Sequence, residues 1–219
     1  PGTALLYCQN EGSVTGIERT GGIAGTFTAS QDAESVIKEC YNKGKVEGGT
    51  YPAGGIAGFA GAGYYRAAIE SCGNTGEVTG SGNNGGIAGM LDKGKSFINK
   101  SKNSGTIGGS GAGGIVGYNR GVISNCYNSG DILANVDGGG IAAYQTDGLG
   151  EITKCYNEGS VIAEGYAGGI IGENGSTVAN CYNSGKVRGT GTSGGLTGKN
   201  TGTVKYVYNA GIVTGENSS

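Results

Sequence analysis

The chain has 219 residues, a formal net charge of −2, a pI near 5.2 and a mean hydropathy of −0.22, with 51 glycines, two prolines and no histidine or tryptophan. The charge balance and the lack of a dense Lys/Arg cluster argue against a nucleic-acid partner, and no apolar run reaches the ~18–20 residues that would insert across a bilayer. Without histidine there is no Ser-His-Asp or Cys-His nucleophile, no HExxH zinc site and no His-ligated metal.

Taken in chain order, a short phrase recurs. It first reads Cys8-Gln9-Asn10-Glu11-Gly12-Ser13-Val14, and further copies begin at Cys40, Cys72, Ser101, Cys126, Cys155, Cys181 and Val207. Each copy has Asn two places on, Gly four places on and Val or Ile six places on. Spacings of 25–32 residues between copies indicate a solenoid, a propeller or an array. Within a copy the pattern has period two: Cys126, Asn128, Gly130 and Ile132 point one way, Tyr127, Ser129 and Asp131 the other, which is strand periodicity. A second β phrase follows, as in Gly22-Ile23-Ala24-Gly25 and Gly195-Leu196-Thr197-Gly198. A third apolar point lies three places before each cysteine slot: Leu5, Ile37, Ile69, Ile98, Ile123, Ile152, Val178 and Val204. Three is an odd step, so a corner or bulge must separate the two inward residues.

These elements predict an all-β fold, a parallel right-handed β-helix (β-solenoid) of about eight coils of 25–32 residues with three short strands each. Residues 1–219 are expected to form one such domain, a rod roughly 40 Å long at ~4.8 Å per coil. A propeller is disfavoured, because blades need about 40 residues or more. The chain starts inside its first repeat without a leader segment, so a mature fragment of a longer protein is expected.

The repeated letters acquire physical roles in that architecture. The Ile/Leu series of the second phrase forms an internal ladder. The paired glycines before it supply either positive φ at a corner or room for close backbone approach. The eight asparagines stack as an internal amide ladder, donating along the axis in one direction and accepting from the other. Tyr41, Tyr127, Tyr156, Tyr182 and Tyr208 face outward as a stacking column, or as an aromatic strip for a sugar or protein. The cysteine slot accepts Ser101 and Val207, so it reads as a small core position; neither disulfides nor a metal are expected.

Function is sought where the repeat departs from itself. The step from the Gly-Ile-Ala-Gly phrase to the next apolar corner is shortest from Gly117 to Ile123 and longer after Gly25, Gly58, Gly89 and Ala143. Insertions at one corner often mark a binding face. The aromatic and basic residues there, Phe27, Phe59, Tyr64, Tyr65, Arg66, Phe97 and Tyr144, are the candidate ligand-binding set; satellite packing under the loops is the alternative. Ser30 to Lys38 could form a helical turn. Carboxylates are scattered, with no catalytic pair evident; convergence of Asp131, Asp137 or Asp147 with Arg188 would instead favour a polysaccharide-active enzyme. Lys43 is expected beside Glu11, and Lys45 beside Glu77. No calcium nonapeptide is present, and no catalytic residue, metal or cofactor is assigned.

Residues 113–132, Gly-Gly-Ile-Val-Gly-Tyr-Asn-Arg-Gly-Val-Ile-Ser-Asn-Cys-Tyr-Asn-Ser-Gly-Asp-Ile, closely resemble the GLUG-motif repeat of bacterial surface proteins, as do residues 168–187. The resemblance extends over seven repeats and a partial eighth. It implies a β-solenoid module of a secreted or wall-attached protein, such as occurs in adhesins and beside the peptidase domain of immunoglobulin-A-cleaving metallopeptidases. The peptidase role does not carry over, because its zinc motif has no counterpart in these residues. The expectation is a non-catalytic, extracellular module on a cell surface or cell wall. It would serve as an adhesive element for a host or neighbour-cell protein or glycan, or as a rigid stalk between flanking domains of the same chain. An enzyme on the same scaffold and a pure spacer are the rivals.

Overall fold

The computed structural model describes residues 2–29, 34–61 and 66–215. Its strands form four sheets in which neighbours are parallel and each segment pairs with its equivalent one coil away. A corner sheet of eight strands runs from Ala4–Leu6 to Thr203–Lys205, and an amide sheet of eight runs from Gln9–Asn10 to Tyr208–Asn209. A glycine sheet of seven strands, built by the Gly-Ile-Ala-Gly phrase, runs from Ala24–Thr28 to Thr197–Asn200. A thirteen-stranded valine sheet holds the Val/Ile positions and the segments just before the paired glycines. The chain is thus an all-β solenoid. The three expected segments of each coil are strands, and the repeated phrase divides further, its Asn and Val ends lying in different sheets.

The corner between the apolar point and the cysteine slot has one cause in every coil. The residue just before the slot is left-handed, with φ of 52–55° at Tyr7, Glu39, Ser71, Lys100, Asn125, Lys154, Asn180 and Tyr206. That single αL residue lets Ile123 and Cys126 both point inward across an odd step. None of the eight is glycine, so each coil carries a conformation that costs an L-residue about 1 kcal/mol or more.

Two separate apolar clusters fill the interior. The larger contains the Ile ladder (Ile56, Ile87, Ile115, Ile141 and Ile170), the corner residues and the cysteines. The smaller contains Val46, Val78, Ile107, Ile132, Val161 and Val187 with small alanines. Between them along each inward face stand the asparagine and the second of the paired glycines. A Cβ on Gly114 would overlap the Asn128 amide and the Gly140 carbonyl. Close approach therefore explains these glycines; among the described residues the positive-φ glycines, Gly80, Gly94, Gly109 and Gly148, are elsewhere.

The cysteine slot is small and also polar. Cys126 Sγ donates to Ser124 O at 3.2 Å, and the Cys126 amide donates to Cys155 Sγ at 3.4 Å. Ser101 makes the same two bonds, donating to Asn99 O and accepting from the Cys72 amide. All six cysteines are free thiols. Two sequence expectations are corrected. Phe27 is not at a binding edge but in the core, 3% exposed, in the slot that Ala60 and Leu91 occupy in the next coils. Of the proposed helical turn, Ser35–Lys38 is a strand, and residues 30–33 lie outside the described ones.

Candidate functional site

The amide ladder is the most regular feature inside the molecule. From Asn10 through Asn42, Asn74, Asn103, Asn128, Asn157 and Asn183 to Asn209, each Nδ2 donates to the next coil's Oδ1 at 2.7–2.8 Å. Its second hydrogen goes to the carbonyl of the glycine two places on, as from Asn128 to Gly130 at 2.8 Å. Every internal amide is therefore saturated at no cost in unpaired buried groups. The ladder is polar, because every member donates toward the C-terminal end.

A second, shorter ladder was not foreseen from the sequence. Asn119 donates to Gln145 at 2.8 Å, Gln145 to Asn174 at 3.0 Å and Asn174 to Asn200 at 2.7 Å. The signal was present as an amide two places after each of Gly117, Ala143, Gly172 and Gly198. It was obscured because the first three coils hold Phe27, Ala60 and Leu91 in that slot.

The candidate binding residues do not share one edge. Phe59 and Tyr144 belong to an outward column on the glycine sheet, Thr26–Phe59–Met90–Tyr118–Tyr144–Glu173–Lys199. The strands there run past the Gly-Ile-Ala-Gly phrase, as in Ala57–Gly61, so positions read as loop are sheet. Arg19 lies over the Phe59 ring at 4.3 Å, and Tyr118 meets Tyr144 edge-on at 6.3 Å. Burial first, and the Asp137 carboxylate next, push the Tyr144 phenol well above its usual range. Phe97 is on the corner sheet beneath Arg66, 4.5 Å from the ring centre; Arg66 also pairs with Glu34 at 2.9 Å. Tyr64 and Tyr65 lie outside the described residues.

The charged groups act as pins. Lys43 reaches Glu11 at 3.0 Å and Lys45 reaches Glu77 at 3.6 Å, the expected cross-coil pairs. Arg120, from the shortest connection, bridges Asp92 at 2.9 Å and Asp147 at 2.5 Å on the longer connections either side. Asp131 accepts from the Ser160 amide at 3.2 Å and Asp137 from the Tyr166 amide at 2.5 Å. The three carboxylates singled out from the sequence thus have three different partners.

A column of tyrosines stands on the outer face of the amide sheet. Tyr127, Tyr156, Tyr182 and Tyr208 are in register on successive coils. Tyr127 stacks on Tyr156 at 4.4 Å and Tyr182 on Tyr208 at 5.6 Å. Tyr127 is braced by its hydroxyl, which donates to Glu158 at 2.6 Å. On the adjoining valine sheet Leu133 and Ile162, paired in register, are exposed, and Ile162 borders a groove of 280 Å³ with Ser160, Lys186, Arg188 and Ile212.

Parallel coils stacked in register, with an amide ladder through their interior, define a β-solenoid. The family model described as the GLUG motif matches residues 108–133 and 163–188, each running from the valine sheet of one coil round through a corner and an asparagine to the valine sheet of the next. The chain is thus a β-solenoid in which two segments match the GLUG motif. Among solved structures it is similar to one titled IgA1 Protease, with a TM-score of 0.57 and 22% identity over 83% of this chain and 17% of that one. That likeness is one of fold, and the chain spans under a fifth of that protein's length. No curated protein matches the chain.

Proposed function

We propose that the chain is a non-catalytic, rigid module of an extracellular bacterial protein at the cell surface or wall, presenting the tyrosine side of its C-terminal coils to a host or neighbour-cell protein or glycan. The unbroken amide ladder from Asn10 to Asn209 carries the reading, since it ties eight coils into one stiff unit with its polar groups satisfied inside. Repeat arrays whose coils contact only their neighbours act as extended scaffolds that present a long face. The exposed Tyr156 and Tyr182 supply an amphipathic contact area of the kind enriched at interfaces. The pinned carboxylates support a non-catalytic role, and the GLUG repeats support the location. The GLUG-repeat resemblance also suggests neighbouring domains in the same polypeptide.

The test is a binding screen against glycans and extracellular-matrix proteins, using the chain and the variant Tyr156→Ser/Tyr182→Ser. Binding that falls at least about tenfold in the variant supports the tyrosine face. Binding unchanged in the variant sinks that face as the contact surface, and no binding to any target leaves a spacer.

A further inference from the structure

Lys186 stands apart from the other charged residues of its column. The residue just before each inward Val or Ile of the valine sheet faces outward, and Lys45, Glu77, Asp131, Ser160, Lys186 and Ile212 hold that position in different coils. Lys45 lies 3.6 Å from both Glu47 and Glu77, and Asp131 accepts from the Ser160 amide at 3.2 Å. Lys186 is exposed and makes no ion pair or side-chain hydrogen bond among the described residues. Its neighbours one coil away, Ser160 and Ile212, carry no charge.

Lys186 and Arg188 flank the inward Val187 and project from the same outward face. With Ser160, Ile162, Ile212 and Thr214 they border a groove of 280 Å³, and no carboxylate lines it among the described residues. An ammonium without a counter-charge, set among aliphatic side chains and hydroxyls, complements a ligand with one anionic group, an apolar face and hydroxyls of its own. The volume is just under the ~300 Å³ at which small-molecule pockets begin, so the groove takes one ring rather than a large body. The strand amides beneath it are spent on neighbouring coils, as Val161 to Lys186 O and Val187 to Ile212 O, both at 2.8 Å. An extended peptide would therefore find no main-chain partner here, whereas a sugar ring needs none.

We infer that this groove binds a hexuronate ring of an acidic glycan. The carboxylate of the ring meets the Lys186 ammonium in a charge-assisted hydrogen bond, its CH face lies against Ile162, and its hydroxyls reach Ser160 and Thr214. The site is separate from the tyrosine column and does not rest on the function proposed for it.

The experiment titrates the chain with trigalacturonate, with its fully methyl-esterified form and with a glutamate octapeptide, following the amide shifts of residues 160–162 and 186–188. Trigalacturonate is expected to bind with a Kd on the order of millimolar or tighter. Affinity should be at least about tenfold weaker for the ester, for the peptide and for trigalacturonate on Lys186→Gln. Ile162→Thr, which keeps a β-branched residue at this exposed position, should weaken binding about threefold or more. Lys102→Gln, on the amide sheet, and Tyr156→Ser/Tyr182→Ser should bind trigalacturonate as the unaltered chain does. No binding of trigalacturonate, or binding indifferent to Lys186→Gln or Ile162→Thr, would overturn the assignment. Equal binding of the peptide would reduce the site to charge alone, and loss in the tyrosine variant would move the contact to the tyrosine column; either result also overturns it.

Discussion

Asn103 Nδ2 donates to Asn128 Oδ1 at 2.8 Å across the shortest coil of the molecule, the one whose cysteine slot holds Ser101. The ladder therefore passes through the least regular part of the repeat without a break. A central rung should be worth much more than a terminal one. Asn128→Ala strands the Asn103 donor and the Asn157 acceptor in a buried site, at about 1–3 kcal/mol each, and should lower unfolding free energy by roughly 3–5 kcal/mol. Asn10→Ala, at a partly exposed end, should cost about 1 kcal/mol. Urea unfolding of the two variants measures the ratio; equal costs would show that the ladder does not act as a buried network.

The αL corner gives a second test. Lys154 is exposed and has φ 53°. Asn tolerates that region better than Lys, and a β-branched residue tolerates it worse. Lys154→Asn should raise stability by about 0.5–1 kcal/mol and Lys154→Val should lower it by about 1–2 kcal/mol. Thermal melts that rank Val above Asn would contradict the corner geometry.

Glycine roles separate by position. Gly114→Ala drives a Cβ into Asn128 and the Gly140 backbone, so a loss of about 3 kcal/mol or more, or failure to fold, is expected. Gly148 has φ 73° and nothing within 4 Å of an added Cβ, so Gly148→Ala should cost only the backbone term, about 1 kcal/mol. Denaturation midpoints distinguish steric approach from conformational freedom.

The Cys72 thiol should make stability fall at high pH. Burial, the main cause, pushes it from 9.0 up to about 12, whereas Cys155 is raised and its partner Cys181 lowered, so those two oppose each other. The unfolded chain ionises Cys72 first, so its contribution is intact below pH ~9 and is lost as pH rises from there toward 12. The expected slope from Cys72 is about 1.4 kcal/mol per pH unit. Unfolding at pH 8, 9 and 10 checks the sign, and Cys72→Ser should flatten the slope.

Much of this fold was legible in the sequence because its period couples each letter to itself. Once Asn42 lies over Asn10, every other asparagine must follow, so the ladder, the Ile column and the Lys43–Glu11 pair could be read directly. The second amide ladder and the place of Phe27 could not be read so, because their column changes from apolar to amide midway, and only stacking shows that Leu91 and Asn119 share it. The candidate binding set failed as a single edge for a related reason. Strand ends are fixed by hydrogen bonds to neighbouring coils, and those bonds carry Phe59 and Tyr144 onto a sheet face.

The sequence by itself determined the repeat, the strand character and the identity of the inward ladders, since period-two alternation and in-register stacking follow from local chemistry. Only the tertiary structure decided where each coil turns, why its glycines are obligatory and which aromatics reach solvent. Those depend on distances between residues about 25–32 positions apart, which no local pattern encodes.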